Sequence, residues 1–392
     1  MDEVLEGRAA IGCYTGNSGV YFRAWLIFVK AQQPMRITID ATSTLLRSAG
    51  VKNYVFHWIR HLRLAARGDE IRAYPFLKDL GQLDHDSSTL QKWQTRARLA
   101  VLLLTRDSFA LDWAIAGSDI FHASNQVRRV PRRARLSATV YDLTTRLMPQ
   151  FHTAANLRAE RSFAENILSR AAGLIAISEN TRQDAIRILG LAPEKITTIY
   201  PGISAEYFDA KPRRRGRPYV LYVGTIEPRK NLDTLLDAWR ELKPGLRREF
   251  DLVVAGPSGW ASAQTLARVA SETKYLGYVP ESDLPSLTAG ATVFVYPSLY
   301  EGFGFPPVQA MAAGAPVLTS NTSCLPEVAG DAALLADPHS PSEIAAGITR
   351  LLESESLRTG LAAKGRQRAC QFRWENCATR SLEFFRTLAA GC

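Results

Sequence analysis

Glu301 stands immediately before Gly302, Phe303, Gly304 and Phe305, within the stretch YPSLYEGFGFPPVQAMAAGAPVLTS that runs from Tyr296 to Ser320. Ahead of it, ATVFVYPS is a short valine-rich apolar run, the mark of a buried strand. Behind it, PVQAMAAGA opens on Pro306 and Pro307 and continues in alanine, which predicts a helix with proline in its first turn. A strand, a glycine turn and a helix start make the place where parallel α/β sheets bind ligands. Backbone N–H groups there lack helical partners, and the helix dipole favours an anion. A carboxylate is a poor phosphate ligand, so Glu301 suits a hydroxyl-rich group attached to the phosphate. The stretch GTIEPRKN repeats the arrangement. Gly224 ends an apolar run, and Arg229 and Lys230 precede a helix with Asn231 as its expected cap. Arginine offers a bidentate grip and lysine a point charge, which suits two phosphates. The competing reading is a solvated pair on a loop.

The elements that must position these residues alternate along the chain. From Met35 the order is the strand RITIDA, a loop containing SAGVKNY, and the helical stretch YVFHWIRHLRLAAR. Strands follow at IFHAS, SATVYDL and AAGLIAIS, the last leading into a helix opened by Ser178 and Glu179. The segment DAKPRRRGRP, residues 209–218, is basic, contains prolines and a glycine, and reads as a linker. A second series begins at YVLYVGT and continues through NLDTLLDAWREL, DLVVAG, a short KYLGYV, ATVFVYP and APVLTS. The chain thus holds two successive α/β halves of the doubly wound kind. Its last segment, from Arg373, is a helix carrying Trp374, Leu382, Phe384 and Phe385.

A length of 392 residues suits two domains, and a hydrophobic content of 46% supplies a full core. The net charge of +10 implies acidic partners: a nucleotide, a nucleic acid or an anionic membrane surface. Five cysteines without a C-x-x-C pair argue against a zinc site or a disulfide framework and fit a reducing cytoplasm. No stretch reaches the ~20 apolar residues of a membrane span. YFRAWLIFVKAQQ is too short and lacks a clean cleavage site for a signal peptide. Because MRITID reads as a first strand, residues 1–34 are expected to be an extension outside the fold.

YVGTIEPRKNLDTLLDAW and the stretch from Tyr296 to Pro338 resemble the C-terminal half of glycosyltransferase family 4. MRITIDA, SAGVKNY and FHAS…ATVYDL resemble its N-terminal half more loosely. The resemblance implies an α/β chain of GT-B architecture: two Rossmann-like domains facing a cleft, here residues 35–208 and 219–372. A final helix, residues 373–392, would cross back to the first domain. It further implies a retaining, metal-independent enzyme that uses no cofactor beyond its substrate, a nucleotide sugar, with GDP-mannose as the expected donor.

By the same resemblance, Arg229 and Lys230 hold the diphosphate and Glu301 lies near the donor sugar hydroxyls. Backbone N–H groups of Phe303, Gly304 and Phe305 meet sugar and phosphate, and Gly50 and Gly224 lie at the donor site. Three positions depart from the family pattern. Gln309 stands where a second glutamate would accept from the ribose, so the charge-assisted component is lost. Tyr141 replaces the histidine of a His-Asp-Leu motif; it can donate a hydrogen bond but cannot act as an easily titrated base, and it could equally be a tyrosine packed on a strand edge. Ala49-Gly50 replaces a glycine pair; Lys52 could reach a phosphate from there, although a plain surface turn is the competing reading. His122 reads as structural.

VRRVPRRAR and HWIRHLRLAARG are expected to give the first domain a cationic face for peripheral contact with the inner leaflet, where each basic residue is worth ~1 kcal/mol. No nucleic-acid motif accompanies the charge. The expected function is transfer of a sugar, mannose first, to a glycan or lipid-linked acceptor in bacterial surface polysaccharide synthesis. The alternatives are a non-catalytic nucleotide-sugar-binding or scaffold protein and a sugar-nucleotide epimerase of the same architecture.

Overall fold

The computed structural model describes residues 34–46, 50–75, 80–81, 83, 88, 90–105, 107–125, 127, 129–213 and 216–391. The expected N-terminal extension falls almost wholly on residues 1–33, outside the described residues. Among those described, two six-stranded sheets account for the strands, and every pairing in them is parallel.

The first sheet contains β1 (Arg36–Asp40), β2 (Glu70–Tyr74), β3 (Ile120–Ala123), β4 (Arg135–Val140), β5 (Gly173–Ala176) and β6 (Ile196–Thr198), in the order β2-β1-β3-β4-β5-β6. The second contains β7 (Tyr219–Val223), β8 (Asp251–Ala255), β9 (Lys274–Tyr275), β10 (Val293–Tyr296), β11 (Val317–Ser320) and β12 (Ala333–Ala336), in the order β12-β11-β10-β7-β8-β9. β3, β5, β10 and β11 are buried at every residue, as parallel strands covered by helices on both faces must be.

Strand order locates the binding crevices before any side chain is considered. In the first sheet the chain moves outward from β1 to β2 and then reverses to β3. In the second it moves from β7 to β8 and β9 and then reverses to β10. The loops leaving β7 and β10 diverge at that reversal, and a crevice opens between them. Those loops carry Arg229 and Lys230 on one side and Glu301 on the other. The expected linker, 209–218, contains no helix or strand among its described residues.

Helices bind the two lobes to each other. The helix Trp374–Ala390 lies against the helix Gly50–Ala65 of the first lobe, with Ser381 Oγ accepting from Trp58 Nε1 at 2.9 Å. Arg386 pairs with Asp69 at 3.0 Å, and the Arg135 guanidinium donates to the Leu388 carbonyl. Phe385 is fully buried against Trp58 and His122. In HWIRHLRLAARG this packing buries Trp58, Ile59 and Leu62 beneath the last helix and leaves Arg60 and Arg67 exposed.

Candidate functional site

The local sequence explains how each loop is held. Gly304 takes a left-handed conformation (φ 83°) at the cap of the helix Phe305–Ala313, where a Cβ would lie 2.7 Å from Leu325. Pro306 and Pro307 follow in its first turn and have no N–H to offer. The donors at this helix start are therefore the N–H groups of Phe303, Gly304 and Phe305. The Phe303 ring turns inward and packs on Phe305 and Phe372, with centroids 5.1 and 5.4 Å away.

Glu301 lies buried at the reversal point of the second sheet. Its Oε1 accepts from Lys230 Nζ at 2.6 Å, Ser298 Oγ at 2.6 Å and Tyr296 OH at 3.0 Å. Its Oε2 lies 3.1 Å from the Arg229 guanidinium. Arg229 in turn pairs with Glu227 at 2.6 Å and donates to the Tyr300 carbonyl at 2.6 Å. Two acids and two bases thus form one buried, locked quartet. Burial pushes the Glu301 carboxyl up, but Arg229 and Lys230 outweigh it and hold the group at about 2. Burial would pull the Arg229 guanidinium down, yet Glu301 and Glu227 raise it above its ordinary value.

Two adjoining clefts open here, the first of them against Glu227 and Arg229 of the quartet. One, of about 610 Å³, is lined by Gly50, Tyr141, Asp142, Glu227, Arg229 and Trp260, among others. The second, of about 500 Å³, is lined by Gly50, Gly224, Gly256, Trp260, Phe305 and Gln309, among others. Gly50 and Trp260 border both. At Gly50 a Cβ would meet nothing within 4 Å, so the protein's own packing does not require glycine there. Gly256, by contrast, sits at φ 141°, and a Cβ there would overlap the Gly224 carbonyl oxygen, so glycine lets two backbone segments meet at the cleft wall.

The sequence-derived residues therefore divide. Gly50, Tyr141 and Arg229 share one cleft; Gly50, Gly224, Phe305 and Gln309 share the other. Lys230 and Glu301 stand behind Arg229, joined to each other, so Glu301 first positions the cation pair. Asn231 differs from expectation: it occupies the cap position at φ 60°, but its amide donates to the Pro297 and Pro338 carbonyls and does not cap the helix. The surface-turn reading of SAGVKNY also fails. Gly50 begins a helix, and Lys52 is fully buried with its ammonium donating to the Leu46 carbonyl at 3.1 Å; Ala49 lies outside the described residues.

Tyr141 follows a central strand, not an edge, and meets Tyr54 edge-to-face with centroids 5.3 Å apart. Burial raises its phenol above the ordinary value, so it stays protonated. His122 is structural: its ring nitrogens lie 2.9 Å from Ser137 Oγ and 2.8 Å from Thr139 Oγ1, and burial lowers it to about 3.

Sequence reasoning missed Glu227, Trp260 and Glu327. Glu227 lay inside the quoted GTIEPRKN and could have been found as a partner for its arginine. Trp260 follows GPSG after β8, another strand-to-glycine transition. Glu327 gave no local signal, because its partners belong to the other lobe. Its carboxylate accepts from the Glu179 and Asn180 N–H groups at 2.7 and 2.9 Å and from Tyr200 OH at 2.7 Å.

At Gly302 the two lobes come into close backbone contact. A Cβ there would overlap the Tyr141 carbonyl oxygen and lie 3.1 Å from Asp142 Cβ. Gly302→Ala is expected to force this loop and the end of β4 apart and lower turnover by more than ~10-fold, since a misplacement of about 1 Å near reacting groups can cost ~100-fold. Steady-state kinetics beside a thermal melt would check it; unchanged turnover would show that the contact is dispensable.

Comparison with known proteins places this geometry in context. Residues 204–368 match the family described as "Glycosyl transferases group 1", and residues 48–207 match "Glycosyltransferase Family 4". The chain is 32% identical over 370 residues to O-antigen chain mannosyltransferase B of Escherichia coli, covering 86% of this chain and 96% of that protein. Among solved structures it resembles sucrose-phosphate synthase from Thermosynechococcus elongatus, with TM-score 0.68 and 20% identity over 91% of this chain and 100% of that one. It also resembles Anabaena Alr3699/HepE, solved in complex with UDP and glucose, with TM-score 0.65 and 16% identity over 90% and 100% of the two chains. At those identities the structural likeness speaks for the fold alone.

Proposed function

We propose, for a chain that belongs to glycosyltransferase family 4, that it transfers mannose from GDP-mannose to a glycan or lipid-linked acceptor in bacterial surface polysaccharide synthesis. The observation that carries this reading is the 32% identity to O-antigen chain mannosyltransferase B across 96% of that protein's length. The two-lobed site agrees with it. The Arg229–Lys230 pair stands at the reversal point of the second sheet, where a diphosphate would meet a bidentate and a point cation.

Transfer would proceed with retention of anomeric configuration and without metal. The acceptor hydroxyl would attack the sugar carbon from the face that the diphosphate leaves, and a diphosphate oxygen would take the hydroxyl proton. Arg229 and Lys230 would offset the charge that develops on the leaving group. Gln309, half-buried at the second cleft, would accept from a ribose hydroxyl as a neutral group. Tyr141, at the first cleft, would donate to the sugar. The enzyme would work as a peripheral protein on the inner membrane face, where its net charge of +10 favours anionic lipid. No helix among the described residues is long and apolar enough to cross a membrane.

A panel of nucleotide sugars offered with extracted lipid and glycan acceptors tests the reading. GDP-mannose should be consumed with mannose appearing on the acceptor. Lys230→Ala should weaken nucleoside diphosphate binding by roughly 1.5–3 kcal/mol, the worth of a charge-assisted hydrogen bond. Calorimetric titration of the folded variant measures it. Binding of several donors with transfer of none would establish a scaffold instead of an enzyme.

A further inference from the structure

The segment between β2 and β3 carries a surface that water does not suit. The helix Lys92–Leu104 has no buried residue at all. Trp93, Leu103 and Leu104 on it are 67%, 58% and 77% exposed, and on the next helix, Ser108–Ala114, Phe109 and Trp113 are 72% and 77% exposed. Trp93, Ala97, Ala100 and Leu104 are all exposed and recur at spacings of four, three and four, so they form one apolar stripe. Phe109 and Trp113 are four apart and share a face in the same way. A helix of ~13 residues is marginal in water unless a face is packed. Among the described residues, the packing this helix finds on the core of the first lobe is that of Leu102, which is partly buried there.

Charge around the apolar face identifies what covers it. Lys92 and Arg96 are exposed beside the stripe. The loop bearing the exposed Arg132 and Arg133 is tied to the second helix, because the Arg132 N–H donates to Asp112 Oδ1 at 2.8 Å. Asp107 is likewise engaged, accepting from the Ala110 N–H at 2.8 Å. The acids are thus held by backbone donors while the cations point to solvent. Tryptophan and leucine flanked by lysine and arginine match the headgroup boundary of an anionic bilayer. At 1.5 Å per residue the longer helix spans roughly 20 Å, too short for the ~30 Å hydrocarbon core, so it can lie in the interface and cannot cross. None of these residues lines either cleft.

We infer that the helices Lys92–Leu104 and Ser108–Ala114 form a membrane-insertion surface for anionic lipid, with Trp93, Leu104, Phe109 and Trp113 entering the interface and Arg132 and Arg133 meeting the headgroups. This deepens the proposed function by naming the face through which the enzyme reaches a lipid-linked acceptor, and it rests on that reading for the acceptor only.

Vesicle sedimentation with the full chain tests it, using phosphatidylglycerol–phosphatidylethanolamine vesicles against pure phosphatidylcholine at low and high salt. Insertion predicts binding to the anionic vesicles that weakens with salt but does not vanish, and tryptophan fluorescence quenched by brominated lipid. Combined Leu104→Ser and Trp113→Ser, at exposed positions outside the site, should weaken vesicle binding by more than ~10-fold from lost apolar burial. Nucleoside diphosphate affinity and the thermal midpoint should not change. Combined Arg132→Ala and Arg133→Ala should reduce binding chiefly at low salt. Wild-type binding to neither vesicle, unaltered binding by the serine variant, or a dimer in solution that the serine variant abolishes would each overturn the inference. Vesicle binding without sugar transfer would leave the surface standing and remove the enzymatic reading.

Discussion

Glu301→Ala should cost about 3–5 kcal/mol of folding stability, the usual penalty for removing one partner of a buried ion pair. It should also lower sugar transfer by more than ~100-fold, the scale of losing one preorganised electrostatic contact. The carboxylate is buried and receives Lys230, Ser298, Tyr296 and Arg229. Without it Lys230 loses the anion it contacts, and Arg229 keeps Glu227 and the Tyr300 carbonyl. Both cations would drift from the reversal point, so phosphate grip and fold fail together. Glu301→Gln separates the two effects. It keeps the volume and one acceptor, and should retain more stability than alanine while transfer stays low.

Acid provides an independent measure of the same group. The Glu301 carboxyl sits at about 2 in the folded protein, against an ordinary value of 4.5. Its stabilising contribution is therefore complete above the ordinary value and is lost as pH falls toward 2. At ~1.4 kcal/mol per unit, that is on the order of 3 kcal/mol. Urea midpoints of wild type and Glu301→Gln should differ most near neutral pH and converge between pH 4 and 2. Parallel midpoints over that range would mean that the quartet does not hold the charge.

Glu327→Ala should be the second most damaging change, at about 2–4 kcal/mol, because two backbone N–H groups and a phenol lose a charged acceptor. This glutamate begins in the second lobe and closes the N-terminus of the helix Glu179–Leu189 in the first, where a carboxylate also meets the helix dipole. The neighbouring contacts, Tyr300 OH donating to Asp184 at 2.5 Å and Thr181 Oγ1 to the Gly302 carbonyl at 3.2 Å, would remain on this side of the junction, with the last helix holding the other. A single unfolding transition should then broaden or divide into two as the lobes lose their coupling. Transfer should fall more than nucleoside diphosphate affinity, because the contacts proposed for the diphosphate belong to one lobe and the proposed reaction needs both. A sharp single transition at the wild-type midpoint would show that Glu327 is not the latch.

The contrast between Glu301 and Glu327 marks how far the sequence reaches. ATVFVYPS followed by EGFGFPP announced a strand, a glycine turn and a proline-headed helix within a few residues, because backbone sterics are local. GTIEPRKN announced its cations for the same reason. Buried strands such as β10 and β11 were legible because two covered faces demand a continuous apolar run. The strands that went unread, β2, β6 and β12, all lie at sheet edges, where one side lacks a partner and EIRAY, ITT and ALLA carry weaker patterns.

What the sequence determined by itself was the class: two parallel α/β halves, with a glycine-rich loop between a buried strand and a proline-headed helix in the second. Tertiary structure decided the partners. It set Glu301 on Lys230 and Arg229, seated Glu327 on a helix of the opposite lobe, buried Lys52 and left Trp93 and Trp113 in the open. Each of these depends on which surfaces meet after the sheets have formed. Local propensity acts over a few residues, whereas burial and ion pairing join groups far apart in the chain, and their energies exist only once the lobes are packed.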